Sequence, residues 1–287
     1  IVFFNYREDS IRQLAESFIV KDFDKFPRRP FANLAVVTMT KYEDRFSVPV
    51  AFPPDMVKNS LGEVIAGAGK TQLRLAESYK YAHVTYFFNA HREAPFKNEY
   101  RVLVPSVKTA RPEEHPQMMA GAVTDRLLQA IENRAFDFVL ANYANSDTIA
   151  HTANYDAAIK AVQIIDEEIG RLLKVGINDQ TAIFITSDHG NVERLFDPRT
   201  GSPESQHDPN PVPLYLIAPE FKGRKFTNWS SLRGESVGGL ADVAPTILEL
   251  MGIPPPPDML GRSLTESLLL GRGKIIRMRL IAKLIVA

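Results

Sequence analysis

From residue 57 onward, short apolar runs closed by polar turns alternate with stretches of helical periodicity, and this alternation most narrows the fold. It predicts a mostly parallel sheet sandwiched by helices, because parallel neighbours need crossover connections. Strands are expected near residues 84–88, 138–143, 182–186 and 214–218, and helices over 59–68, 119–133, 155–174 and 242–251. In the third helix Ala158, Val162, Ile165, Ile169 and Leu172 form a stripe that should pack on the sheet, with Asn154 as its cap. The last helix is ended by Gly252 and the proline run 254–257.

Chemistry in such sheets gathers just past the carboxyl ends of strands. The run 181–185 is followed there by Thr186-Ser187-Asp188-His189-Gly190-Asn191. Asp188 and His189 offer an oxygen and a nitrogen donor suited to a divalent ion, and Gly190 permits a sharp backbone turn. Taken alone, such a pair is more often a helix cap beside a surface histidine than a metal site. Two further turns favour metal. Asp147 and His151 are four residues apart after the run 138–143, so on a helical turn they share a face. His207 precedes the run 214–218.

The chain has no cysteine, which leaves His, Asp and Glu as metal donors. Its 34 basic and 34 acidic residues balance, which removes the electrostatic argument for nucleic acid or an anionic membrane as partner. No apolar run is long enough to span a membrane. A cytoplasmic setting fits this composition.

Residues 1–52 read as a piece of a second α/β domain, with strands at 2–6 and 34–40 and a helix at 9–20. Prolines 49, 53 and 54 suggest a hinge, placed at 53–58, before a main domain over 59–287. The opening Ile1-Val-Phe-Phe-Asn-Tyr6 looks like the middle of a strand, so the chain is expected to be the carboxyl-terminal part of a longer protein. The basic, apolar tail 272–287, with Lys274, Arg277, Arg279 and Lys283, is expected to be a terminal helix docked on its own domain, a membrane-surface helix being the alternative.

Several motifs carry a resemblance. Phe4-Asn-Tyr-Arg7, Lys80-Tyr-Ala-His-Val-Thr85, Asn142-Tyr-Ala-Asn-Ser-Asp147, Asp188-His-Gly-Asn191, Asn210-Pro-Val-Pro213 and Leu240-Ala-Asp-Val-Ala-Pro245 occur in order along nearly the whole chain. With them the sequence resembles the cofactor-independent phosphoglycerate mutases of the alkaline phosphatase superfamily. That resemblance implies a phosphatase-type metal domain preceded by the end of a transferase domain. It implies an isomerase of glycolysis and gluconeogenesis that interconverts 3- and 2-phosphoglycerate through a phosphoserine, with two divalent ions, Mn expected. Asp147, His151 and His207 then look like ligands of one ion, and Asp188 and His189 like part of the second site. The aspartate and nucleophilic serine that complete that second site in the family are not in this sequence.

Lys80 resembles the family's phosphate-contacting, catalytic lysine, and Arg7 the first of two substrate-binding arginines. The second arginine is replaced by Ser10, and the family's Asn-Gly-Gly by Asn89-Ala90-His91. A small-molecule substrate and a monomer are expected. Another metal-dependent phosphatase or phosphotransferase of the superfamily, or a truncated non-catalytic copy, are the alternatives.

Overall fold

The computed structural model describes residues 1–29, 31–54, 57–176, 181–204, 206–219, 236, 238–268 and the backbone of 281–286. The chain divides into two compact units, Ile1–Val57 and Lys58–Ala287. In the first, β1 (Val2–Phe3) pairs in parallel with β2 (Val37–Thr38), with Val2 opposite Val37. Helix α1 (Glu8–Ile19) contributes Ala15 to a core with Phe3, Val36, Tyr42 and Phe46. The proline-bearing segment that follows is tied to the strand end, since Ala51 N donates to Thr38 O at 2.9 Å and Phe52 N to Met39 O at 2.9 Å. Of the expected hinge, Asp55 and Met56 lie outside the described residues.

The second unit is a helix-covered sheet of six strands: β3 (Gln72–Glu77), β4 (Glu99–Val104), β5 (Phe138–Asn142), β6 (Thr181–Thr186), β7 (Leu214–Ile217) and β8 (Ile281–Val286). Their order across the sheet is β4-β3-β5-β8-β6-β7, and every pairing is parallel except β6 with β7. Side chains alternate between the faces of a strand, and the core divides accordingly. On one face Phe138, Leu140, Ala182 and Phe184 pack with Leu61 and Ile65 of α2 (Leu61–Gly67) and with Ile247 and Leu248 of another helix, Val243–Leu250. On the other, Val139, Ala141, Ile183 and Ile185 pack with Val123 and Leu127 of α3 (Ala120–Glu132) and with Ile165 and Leu172 of a 22-residue helix, Tyr155–Gly176. Asn154 caps that last helix, its Oδ1 accepting from Ala157 N at 3.0 Å. The α/β sandwich is thus the one the alternation predicts. No helix among the described residues is long and apolar enough to cross a membrane.

Two expectations are corrected, and two strands stand where none was expected. Residues 84–88 are not a strand: His83–Phe87 form a π-helical turn, with Asn89 N bonded to Thr85 O at 2.9 Å. The apolar, aromatic composition of that stretch imitates a strand, while the strands actually there, β3 and β4, are disguised by polar residues. Gln72, Arg74 and Glu77 are all buried in β3. Gln72 Nε2 donates to Gly62 O at 2.9 Å, and the Arg74 guanidinium donates to Gln72 and lies 4.5 Å from the Phe88 ring centroid and 5.2 Å from that of Phe138. Burial pushes the Arg74 pKa down to about 9. In β4, Glu99 accepts from Arg101 Nε at 2.6 Å, Asn89 Nδ2 at 2.7 Å and Phe96 N at 3.0 Å.

The second correction concerns the tail. Residues 281–286 form a strand between β5 and β6 and not a docked helix. A nearly unbroken apolar run such as Ile281-Ala-Lys-Leu-Ile-Val286 suits an interior parallel strand. Lys274, Arg277 and Arg279 lie outside the described residues.

Ala90 and His91, which replace two glycines of the resembled family, both adopt the left-handed region, with φ of 57° and 64°. That conformation costs a residue bearing a Cβ about 1–2 kcal/mol. Ala90→Gly is therefore expected to stabilise the protein by about 0.5–1 kcal/mol after the larger entropy of the unfolded glycine is deducted. Urea unfolding measures this, and an unchanged or lowered midpoint would show the turn to be unstrained.

Candidate metal centre

Parallel strands bring the residues that follow them to one edge of the sheet. The 3₁₀ turn Ser78–Lys80 follows β3, helix α4 (Asn145–Ala150) follows β5, and the loop Ser187-Asp188-His189-Gly190-Asn191 follows β6. Strand β7 runs the other way, with Leu214 opposite Thr186. The residues that precede β7 therefore reach the same edge, which explains how His207, lying before its strand, joins groups that lie after theirs.

Asp147 sits in the first turn of α4 and His151 caps its carboxyl end. Ile149 and Ala150 are buried against Ala157, Ala158 and Ala161, whose small side chains let the two helices approach closely and fix α4 in place. Asn145 Nδ2 anchors the amino end of α4 on Pro116 O at 2.7 Å.

The Asp147 carboxylate is the meeting point. Its Oδ1 lies 3.2 Å from His151 Nε2, 3.4 Å from His207 Nε2 and 4.0 Å from His189 Nε2. Asn191 Nδ2 donates to the same oxygen at 2.8 Å, and the Lys80 ammonium takes Oδ2. Burial would raise the Asp147 pKa, but Lys80 foremost, with Asn191 and His151, outweighs it and holds the carboxyl at about 2. Burial and the neighbouring His189 depress the His207 pKa and favour its neutral, ligating form. The His189 and His207 rings stack with centroids 3.5 Å apart and planes 14° apart. With Nδ1 protonated, His189 donates to Gly190 O at 3.2 Å and leaves Nε2 as a lone-pair donor.

One ligand atom each from Asp147, His151 and His207 lies within 4.8 Å of the others. Neutral imidazole nitrogens and a carboxylate oxygen are all electron-pair donors. Gathering them this closely is chemistry that a divalent cation such as Zn²⁺ or Mn²⁺ fits. Asp188, half exposed, has Oδ1 3.7 Å from His189 Nε2 and stands outside that group of three. Asp147, with Lys80, Asp188 and His189, forms part of the wall of a cleft of about 730 Å³. Arg7 belongs to the first unit, where it precedes α1 and its backbone N–H donates to Asn5 Oδ1 at 3.1 Å; Ser10 lies within α1.

Sequence reasoning passed over Glu193, Arg194 and Asp208, which help to hold the two histidine loops together. Gly190 N donates to Asp208 O at 3.1 Å and Asp208 N to Gly190 O at 2.7 Å. Glu193 Oε2 accepts from Asn191 N at 2.8 Å and Oε1 from Asn210 Nδ2 at 3.3 Å, while Arg194 Nη1 donates to Asp208 Oδ2 at 3.2 Å. The available signal was proximity, since each lies within five residues of His189 or His207. The role of Gly190 also differs from the expected sharp turn. It is absent from the positive-φ glycines, and an added Cβ would lie 2.1 Å from Glu193 Oε1 and 3.0 Å from the Asp208 carbonyl. Close approach, not backbone freedom, demands glycine there.

The Metalloenzyme superfamily profile matches residues 17–255, and the chain belongs to that superfamily. It is 43% identical over 267 residues to a 2,3-bisphosphoglycerate-independent phosphoglycerate mutase of Synechococcus sp. (93% of this chain, 50% of that protein). It is 44% identical over 268 residues to the protein of the same name in Cellvibrio japonicus (92% and 50%). A crystal structure of Leishmania mexicana phosphoglycerate mutase at low cobalt concentration superposes with a TM-score of 0.76 at 25% identity, covering 91% of this chain and 49% of that one. The chain thus spans about half the length of the curated relatives it matches.

Gly190→Ala is expected to destabilise the protein by about 1–3 kcal/mol, because the Glu193 carboxylate can swing away but the Asp208 backbone carbonyl cannot do so freely. Denaturant unfolding at unchanged m-value would show the loss; a neutral substitution would mean that the loop carrying His207 gives way.

Proposed function

We propose that this chain carries the metal-binding part of a phosphoglycerate mutase that interconverts 3- and 2-phosphoglycerate through a phosphoserine. The observation that carries the reading is the gathering of Asp147, His151 and His207 at one sheet edge, in a chain more than 40% identical to enzymes of that name over more than nine-tenths of its length. In this reading Asp147, His151 and His207 hold one divalent ion, Mn²⁺ by our assignment. Asp188 and His189 contribute to a second site completed by groups outside this sequence. The ions would supply positive charge to the transferring phosphoryl group and lower the pKa of the serine nucleophile.

The chain's own residues supply the rest. Lys80, a compact cation between the end of β3 and the metal cluster, neutralises a phosphoryl oxygen and keeps the group beside Asp147. The buried carboxylate stays ionised throughout the physiological range, so its ligand oxygen needs no deprotonation step. Arg7 grips the carboxylate or phosphate of the substrate from residues 1–52, read as the end of a transferase domain, with 53–58 as hinge. Excluding water during transfer keeps the phosphoserine from hydrolysis. A monomeric protein acting in the cytoplasm completes the proposal.

A specific observation favours a second reading. With Ser10 at the position of the family's second arginine, the same scaffold could serve another phosphorylated substrate as a metal-dependent phosphotransferase. Ser10→Arg separates the two. A restored bidentate contact should lower KM for phosphoglycerate about tenfold, the equivalent of one charged hydrogen bond; an unchanged KM favours the other substrate.

His151→Ala tests the metal assignment. Elemental analysis is expected to show the loss of one tightly bound Mn equivalent per chain, and unchanged stoichiometry would falsify it.

A further inference from the structure

We propose that Asn191 is a positioning residue for Asp147, locking the carboxylate so that Oδ1 faces the histidine cluster. The inference rests on the reading of Asp147 as a metal ligand. Each carboxylate oxygen has its own donor: Lys80 holds Oδ2 and Asn191 Nδ2 holds Oδ1 at 2.8 Å. Rotation about the bond that carries the carboxylate would break both contacts, so the pair fixes which oxygen the three imidazoles meet. The two donors are not equivalent. Lys80 brings a charge that competes with a bound cation, whereas the Asn191 amide gives direction without charge.

Asn191 is itself buried and anchored. It is 4% exposed, its backbone N–H is bound by Glu193 Oε2 at 2.8 Å, and the preceding Gly190 is bridged on both sides to Asp208. It therefore couples the ligand on α4 to the loop that carries His189 and, through Asp208, to the loop that carries His207. Its side-chain oxygen Oδ1 is buried with no hydrogen-bond partner among the described residues. A buried acceptor left unsatisfied lowers stability, so an asparagine here is poorly explained by folding alone. Leucine would keep its branching and heavy-atom count and remove that unsatisfied acceptor together with the amide donor.

The test uses the whole chain and Mn²⁺ as the probe. Asn191→Leu and the smaller Asn191→Ala are compared with wild type and with His151→Ala by calorimetric titration, metal-free melting and the visible absorption of the Co²⁺-loaded protein. Loss of an outer hydrogen bond to a ligand lowers metal affinity 10–100-fold as an order of magnitude. Both Asn191 variants are expected to bind Mn²⁺ that much more weakly and to change the Co²⁺ spectrum, with the metal-free melting temperature of Asn191→Leu held near wild type. A purely structural role would instead lower melting and leave affinity intact, and wild-type affinity in both Asn191 variants, with His151→Ala losing the ion, overturns this inference alone. If wild type takes up no Mn²⁺, or His151→Ala binds as wild type does, the metal-site reading fails and the inference with it.

Discussion

A carboxylate removed from water must be matched by donors, and Asp147 shows how much of a fold that requirement can organise. Its side chain is 15% exposed, yet its pKa is held at about 2 against the opposing effect of burial. The groups that surround it come from four places, Lys80 after β3, His151 from its own helix, Asn191 after β6 and His207 before β7, and the first three hold the pKa down. Remove the sheet and these groups have no reason to meet. Remove the carboxylate and three imidazoles, a lysine and an amide face one another across the same edge with nothing to balance them.

Convergence also requires that the contributing loops be rigid, because ligand geometry fails with displacements well below the size of a side chain. The histidine loops achieve this by behaving as a miniature sheet. The reciprocal Gly190 and Asp208 hydrogen bonds give antiparallel pairing, and Glu193 with Asn210 and Arg194 with Asp208 add side-chain ties across it. The stacked rings of His189 and His207 are the consequence, and the missing side chain at Gly190 is the condition.

Some of this order sits on unusual foundations. Strand β3, next to the edge of the sheet, buries Gln72, Arg74 and Glu77, and the Arg74 guanidinium is carried by one glutamine and two aromatic faces. An added Cβ on Gly62 would fall 2.6 Å from that guanidinium, so α2 approaches the strand only because a glycine faces it. Lys80, placed by the turn at the end of the same strand, inherits its position from this polar core. Burial of Glu77, close to Ser106 and Met119, raises the pKa of its carboxyl at the base of that turn.

The sequence by itself determined what depends on local pattern. The apolar runs at β5, β6 and β7, the stripe of Tyr155–Gly176 with its Asn154 cap, and the polar turns bearing Asp147, His151, Asp188, His189 and His207 were legible because hydrophobic periodicity and capping act over a few residues. Only the tertiary structure decided the rest. Strands β3 and β4 were hidden because polar residues such as Gln72 and Glu99 find partners elsewhere in the fold, and 281–286 became a strand because β5 and β6 offer pairing on both sides. The reversed direction of β7, which brings His207 to Asp147, and the contact of Asn191 with that carboxylate are set by the order and sense of strands in space. No local pattern encodes them, because the energies that fix them exist only once distant segments have met.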